Sequence, residues 1–324
     1  MKIHWLIPVL LLGIFLGSGC SPKSPEGNLP PEEENVTVAV KNGDLKGTLR
    51  MPQKEAKPIL VILIPGSGPT DRNGNNPQAG ENNSLKMIAE ALSEEGFSSL
   101  RYDKRGIGES KGLLVKESDL TFEDSITDVL AWVEKYQKDS RFSQIILLGH
   151  SEGALIGAAA ASRSPAVKAL ISVAGTAVPA DELLLSQLKV QAPDLYEASV
   201  PLVEELRQGR LIPKVPLNLF SIFRPSVQPY LISWFSYDPR EVMASVKVPV
   251  LILHGDRDLQ VPVEDAEKLK AVNPAAELLV VPGMNHILKD APEDPQGNFA
   301  TYSDPDLPLS DVFITKVLEF LCKR

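Results

Sequence analysis

Ser151 lies in the run Gly149-His150-Ser151-Glu152-Gly153, between the apolar stretch Ile145-Ile146-Leu147-Leu148 and a run of small residues that ends at Ala161. That order predicts a strand, a sharp turn and a helix, with the serine hydroxyl projecting from the turn while Gly149 and Gly153 admit neighbouring backbone. The plainer reading is a helix N-cap serine between two glycines. A serine hydroxyl is a weak nucleophile at neutral pH, so the chemical reading requires a base, and histidine is the natural one. The chain has four histidines. His4 falls in an apolar leader, His150 shares the serine's turn with its side chain directed elsewhere, and His254 ends an apolar run where it packs or makes a structural hydrogen bond. His286, in Pro282-Gly283-Met284-Asn285-His286, follows the last strand-like run. Carboxyl ends of strands are where open α/β sheets place their sites, so His286 is the expected base rather than a surface loop histidine.

An imidazole base needs a carboxylate to fix its tautomer and stabilise the imidazolium. The run Gly255-Asp256-Arg257-Asp258-Leu259-Gln260-Val261-Pro262 follows the preceding strand and offers two, Asp256 and Asp258; a solvated turn is the plain alternative. Acyl chemistry also requires N–H donors for a tetrahedral oxyanion, each worth about 2.7–4 kcal/mol. The amide of Glu152, next after the serine, is one candidate. The loop Pro65-Gly66-Ser67-Gly68-Pro69, after an early strand, is placed to supply the other by its backbone. It lacks Gly-Lys-Ser/Thr, which speaks against a phosphate cradle. The Glu152 side chain either lines the rim of the site or occupies a helix first turn, where the dipole favours a carboxylate.

Strands are predicted at 59–64, 98–102, 145–148, 167–173, 250–254 and 277–281. Continuous apolar runs of this kind belong to a parallel sheet covered on both faces. Helical patterns intervene at 84–95, 122–138, 152–162 and 263–272, with another at 308–322, and Thr121-Phe122-Glu123-Asp124 resembles an acidic capping box. Before them, 36–40 and 45–51 flank Lys41-Asn42-Gly43-Asp44 as an N-terminal β-hairpin. The class is α/β: a mostly parallel central sheet with helices on both faces. Residues 179–245 break the alternation with helical stretches at 180–191 and 195–208 and a proline-punctuated apolar run at 212–234. An insertion of that length predicts a helical lid between two parts of the core, 36–178 and 246–324. Its aromatics, among them Phe220, Phe223, Trp234 and Phe235, either line a pocket or pack the lid's helices.

With 324 residues, 43% of them hydrophobic, the chain can fill one full core and an insertion. Its net charge of -9 is dispersed, without a basic stripe, which argues against nucleic-acid binding. The two cysteines, Cys20 and Cys322, stand near opposite ends without Cys/His metal spacing, so no metal or cofactor is expected. Residues 1–19 read as a signal peptide: Lys2 is the basic n-region, 3–16 are almost wholly apolar, and Gly17-Ser18-Gly19 are small. Pro8 and Gly13 interrupt that run, which falls short of the ~20 residues a bilayer span requires. Cys20 resembles the acylated cysteine of bacterial lipoproteins, with Leu16 one place upstream of the usual leucine position, and is the candidate lipid-attachment residue. Ser21 after it resembles an outer-membrane address in Gram-negative lipoproteins. Residues 20–35, rich in proline, serine and glutamate, read as a disordered tether. The expectation is an extracytoplasmic protein anchored to a membrane by lipid.

Five motifs resemble the α/β-hydrolase superfamily, and more narrowly its carboxylesterase and serine aminopeptidase S33-like branch: GSGPTDRNGN from Gly66, RYDKRGIGES from Arg101, GHSEG from Gly149, HGDRDLQVP from His254 and GMNH from Gly283. The order Ser151, aspartate, His286 is the chain order of roles in that superfamily. The resemblance implies that the acid is Asp258, by a D-x-x-V-P pattern, and that Ser67 gives the first oxyanion amide. It also implies that Asp103 and Arg105 brace the site. Pro65 stands where many members carry the histidine of a His-Gly pair. A serine hydrolase of carboxylic esters is implied, acting through an acyl-enzyme without a cofactor. The alternatives are a peptidase, with Glu152 or a lid carboxylate such as Glu182 anchoring a short peptide's amine, and a binding protein that kept the fold and lost the chemistry.

Overall fold

The computed structural model describes residues 32–324 except Lys54, Leu114 and Val115. The leader, Cys20 and the tether up to residue 31 lie outside the described residues. Asn42, at a φ of 74°, and Gly43, at 145°, turn β1 (Glu32–Val40) back onto β2 (Gly43–Met51). Pairing runs to Glu32 opposite Met51, so residues 32–35 are strand rather than tether. Their anchor is Glu33, whose Oε1 accepts from Arg50 Nη1 and Arg101 Nη2, both at 2.9 Å.

The remaining strands are β3 (Leu60–Ile64), β4 (Ser98–Tyr102), β5 (Ile145–His150), β6 (Val167–Val173), β7 (Val250–Gly255) and β8 (Glu277–Val281). The sheet order is β1-β2-β4-β3-β5-β6-β7-β8. β1 to β2 and β2 to β4 are antiparallel, and every other pair is parallel. Interleaved are α1 (Ser84–Glu94), α2 (Phe122–Tyr136) and α3 (Glu152–Arg163), then five lid helices. These are α4 (Ala180–Gln191), α5 (Pro193–Arg207), α6 (Phe220–Phe223), α7 (Gln228–Phe235) and α8 (Pro239–Ser245). The chain closes with α9 (Val263–Val272), α10 (Pro295–Ala300) and α11 (Asp311–Cys322).

Side chains alternate across each strand, so a strand buried on both sides feeds two cores. In β3, Leu60, Ile62 and Ile64 join Ile126, Trp132 and Val133 of α2, while Val61 and Leu63 join Ile88 of α1 and Phe313 and Val317 of α11. The capping box forms at the start of α2: Thr121 N donates to Asp124 Oδ2 at 2.8 Å, and Asp124 N to Thr121 Oγ1 at 3.3 Å.

The lid carries its own small core of Val203, Leu206, Leu219, Phe223 and Leu231. Gln228 is buried within it and bridges two turns, accepting from Ile212 N at 2.7 Å and donating to the Ile212 and Phe223 carbonyls at 2.8 Å. Phe223 is fully buried, Trp234 stacks on Phe122 with ring centroids 5.8 Å apart, and Phe220 faces solvent. These three therefore pack or point outward. Among the described residues no helix is long and apolar enough to cross a membrane.

Between β3 and β5 the strand order reverses, since β4 lies on one side of β3 and β5 on the other. The loops leaving the carboxyl ends of these two strands border the crevice in which open α/β sheets hold ligands. They are the Gly66 loop and the Ser151 turn.

Candidate active site

The turn after β5 is tight enough to dictate its residues. Ser151 adopts φ 56° and ψ −120°, a region costly for any residue with a Cβ, and α3 starts directly after it. A Cβ on Gly149 would stand 2.0 Å from Gly153 O, and one on Gly153 would stand 2.4 Å from Ile64 O, so only glycine fits either place. Ser151 N donates to Val173 O at 2.9 Å, tying the turn to the neighbouring strand. The N-cap alternative fails, because the serine side chain makes no cap hydrogen bond and Ser151 Oγ instead faces His286.

His286 Nε2 lies 3.1 Å from Ser151 Oγ, and its Nδ1 lies 2.7 Å from Asp258 Oδ2. The other Asp258 oxygen accepts from Gln260 N at 2.8 Å and Val261 N at 2.9 Å. Burial pushes the Asp258 carboxyl up, but His286, His254 and the Val261 amide together hold it below its ordinary value. An ionised Asp258 fixes the tautomer in which Nδ1–H donates to it, leaving Nε2 free to take the serine proton. Asp256 is elsewhere: its Oδ1 accepts from Gly283 N at 2.7 Å, at the base of the loop that carries His286. The geometry thus brings together Ser151, His286 and Asp258 and leaves Asp256 as a loop brace.

The other two described histidines are structural. His150 donates through Nε2 to the His286 carbonyl at 2.7 Å, and burial, followed by the neighbouring His286, pushes its pKa down to about 3. It stays neutral and holds the backbone of the base. His254 is fully buried, donates through Nε2 to Val261 O at 2.9 Å, and lies 3.6 Å from Asp258 Oδ2.

The Gly66 loop packs on the serine turn, where a Cβ on Gly66 would stand 3.3 Å from both Ser151 Cβ and His150 Nδ1. Ser67 O accepts from Thr70 Oγ1 at 2.8 Å, and Gly66 O from Lys104 Nζ at 2.6 Å. Both expected oxyanion amides, of Ser67 and Glu152, therefore belong to segments flanking Ser151. The Glu152 side chain is not on the rim. It is buried, accepts from the Tyr230 hydroxyl of α7, and lies 4.0 Å from Lys104 Nζ. Glu182, by contrast, is exposed on α4.

Asp103 and Arg105, expected to brace the site, bond to Arg72, Glu109 and Asp128. Asp103 accepts from Arg72 N at 2.9 Å, Arg72 Nη2 at 2.6 Å and Glu109 N at 2.9 Å, while Arg105 forks onto Asp128 at 2.8 and 2.6 Å. A polar groove of about 430 Å³ borders Arg72, Arg101 and Asp103, apart from the Ser151 constellation. Sequence reasoning missed the Asn285 network, in which Asn285 Nδ2 donates to Asn298 Oδ1 at 3.2 Å and Thr301 Oγ1 at 2.8 Å. Asn298 Nδ2 in turn donates to Arg257 O at 2.9 Å, so the segments carrying His286 and Asp258 are joined through α10. Asn285 beside His286 was the available signal.

Lys289 closes the same loop. Asn285 N donates to Lys289 O at 2.9 Å and Lys289 N to Asn285 Oδ1 at 3.2 Å, while the buried ammonium donates to Leu307 O. Burial pushes its pKa from 10.5 down to about 8. Between those values the unfolded chain binds the proton and the folded one does not, so this residue makes stability rise with pH across that window, by on the order of 2 kcal/mol. Lys289→Met is expected to flatten the rise, measured as urea unfolding of both proteins at pH 8 and pH 10. Parallel pH dependence in the two would contradict it.

Residues 80–291 match the family described as Serine aminopeptidase, S33. The chain is similar to Esterase EstD of Thermotoga maritima, at 31% identity over 265 residues covering 79% of this chain; the match spans 60% of the length of that esterase. It is 24% identical to Monoacylglycerol lipase of Mycolicibacterium smegmatis over 230 residues, covering 64% of this chain and 77% of that one. Est1E from Butyrivibrio proteoclasticus has a similar structure, with a TM-score of 0.58 at 22% identity over 90% of this chain and 99% of that one. For the Pyrococcus furiosus esterase Pf2001 the TM-score is 0.59 at 19% identity, over 93% and 96%. The sheet order, the helices on both faces and these likenesses establish the α/β-hydrolase fold.

Proposed function

The chain belongs to the serine aminopeptidase S33 family of α/β-hydrolases, and on that premise we propose that it hydrolyses carboxylic esters through an acyl-enzyme on Ser151. The observation that carries this reading is the continuous chain of hydrogen bonds from Ser151 Oγ through His286 to Asp258, set on a strained turn at the switch point of the sheet. Ser151 Oγ attacks the acyl carbon as His286 Nε2 takes its proton. Asp258 holds the imidazolium that results. The amides of Ser67 and Glu152 receive the oxyanion, and collapse expels the alcohol, which His286 protonates. Water, deprotonated by His286, then releases the acid and restores Ser151.

An ester is preferred to a peptide because Glu152, the carboxylate next to the nucleophile that could anchor a peptide's amine, is buried against Tyr230 and Lys104. The similarity to Esterase EstD supports the same choice. Initial rates on p-nitrophenyl acetate and butyrate are expected to exceed those on aminoacyl-p-nitroanilides; faster amide turnover would favour the peptidase. From the run Gly17-Ser18-Gly19-Cys20 we also infer lipid anchoring at Cys20. Cys20→Ser should then move the hydrolase from the membrane fraction to the soluble one, and unchanged fractionation would contradict the anchor.

A further inference from the structure

We propose that Lys104 is a positioning residue for the oxyanion site, holding the Gly66–Ser67 peptide so that its N–H is presented to the reacting carbonyl oxygen. This rests on the acyl-enzyme reading above and deepens it. In a trans peptide the C=O of one residue and the N–H of the next point in opposite directions, and the described chain has no cis peptide bonds. A donor that grips Gly66 O from one side therefore aims Ser67 N–H to the other. Lys104 Nζ does this at 2.6 Å. Gly66 is buried and Ser67 exposed, and a Cβ on Gly66 would stand 3.3 Å from Ser151 Cβ, so the gripped peptide lies against the serine turn. Pro65 has neither an N–H nor a polar side chain with which to steer the loop itself.

The ammonium is in turn held in place. Its Nζ lies 4.0 Å from Glu152 Oε2, and the other Glu152 oxygen accepts from the Tyr230 hydroxyl. Glu152 is also the residue whose backbone N–H is the second proposed oxyanion donor. One part-buried chain, Lys104 to Glu152 to Tyr230, thus ties both oxyanion segments to each other and to lid helix α7. Burial lowers the pKa of Lys104 against the pull of Glu152, and burial, with the Glu152 charge next, raises that of Tyr230 well above its ordinary value, so the phenol remains a donor.

The test compares Lys104→Met, which keeps the length and removes the donor, with Lys104→Gln, which keeps a neutral donor. Kinetics on p-nitrophenyl butyrate and inhibition by an alkyl trifluoromethyl ketone, whose hemiketal carries the oxyanion, are measured beside wild type and Ser151→Ala. Lys104→Met is expected to lower kcat about 10²-fold, the worth of one oxyanion donor, with KM changed less than about twofold and the inhibitor weakened by a similar factor. Lys104→Gln is expected to recover part of that loss. The proposal is overturned if Lys104→Met retains wild-type kcat and inhibitor affinity while Ser151→Ala is inactive, if the loss falls on KM alone, or if the two Lys104 variants are equally impaired. Wild-type activity in Ser151→Ala would instead overturn the acyl-enzyme reading. Should Lys104→Met fail to fold, Lys104→Gln decides by the same kcat and inhibitor readouts.

Discussion

Ser151→Ala is expected to reduce kcat on p-nitrophenyl butyrate by about 10⁶-fold, with no more than a small change in thermal stability. The magnitude follows from losing a nucleophile that acts as a unit with its base, and for the same reason Ser151→Ala combined with His286→Ala should cost hardly more than either alone. The fold should tolerate the change, since serine and alanine share the Cβ that makes φ 56° costly and the hydroxyl caps nothing in α3. Steady-state rates and a thermal melt check both parts. Retention of even a hundredth of the wild-type rate would remove Ser151 from the chemistry.

The second large effect separates the two aspartates. Asp258→Asn is expected to lower kcat by about 10⁴-fold, because an amide opposite His286 Nδ1 favours the tautomer that places the proton on Nε2, where the serine proton must go. Asparagine keeps an oxygen for the Gln260 and Val261 amides, so the turn itself should persist. Asp256→Asn is expected to cost less than about tenfold, since asparagine can still accept from Gly283 N and Asp256 has no bond to His286. The reverse ranking would move the acid to Asp256.

Much of this site was legible because its parts obey local rules. Continuous apolar runs located the parallel strands, and the strands at Val167–Val173 and Glu277–Val281 begin and end where the pattern places them. The serine turn was readable from two glycines whose positions cannot hold a Cβ. The base emerged because only four histidines were available. The acid did not emerge from the residues alone. Asp256 and Asp258 are two places apart and chemically alike, and the family pattern chose between them before the hydrogen bond did.

What the sequence left hidden depends on partners far along the chain. Glu33 looks like part of an acidic tether until Arg50 and Arg101, 17 and 68 residues away, draw it into a strand. Lys104 sits between Asp103 and Arg105 in a run of charges, and nothing local distinguishes it from a solvated lysine; its grip on Gly66 O spans 38 residues. The role of His150 was hidden similarly, because its partner is the backbone of His286, 136 residues on. The lid aromatics were ambiguous because a pocket and a helix interface demand the same residue types.

If an acyl group passes through Ser151, the protein can be caught with that group attached and its mass measured. A slowly deacylating ester such as p-nitrophenyl pivalate, mixed with enzyme and quenched in acid during turnover, allows intact mass and peptide mapping. One added acyl group per chain is expected, on the peptide containing Ser151, and none on the Ser151→Ala protein. Turnover without any trapped acyl group, or an acyl group on a residue other than Ser151, would contradict it.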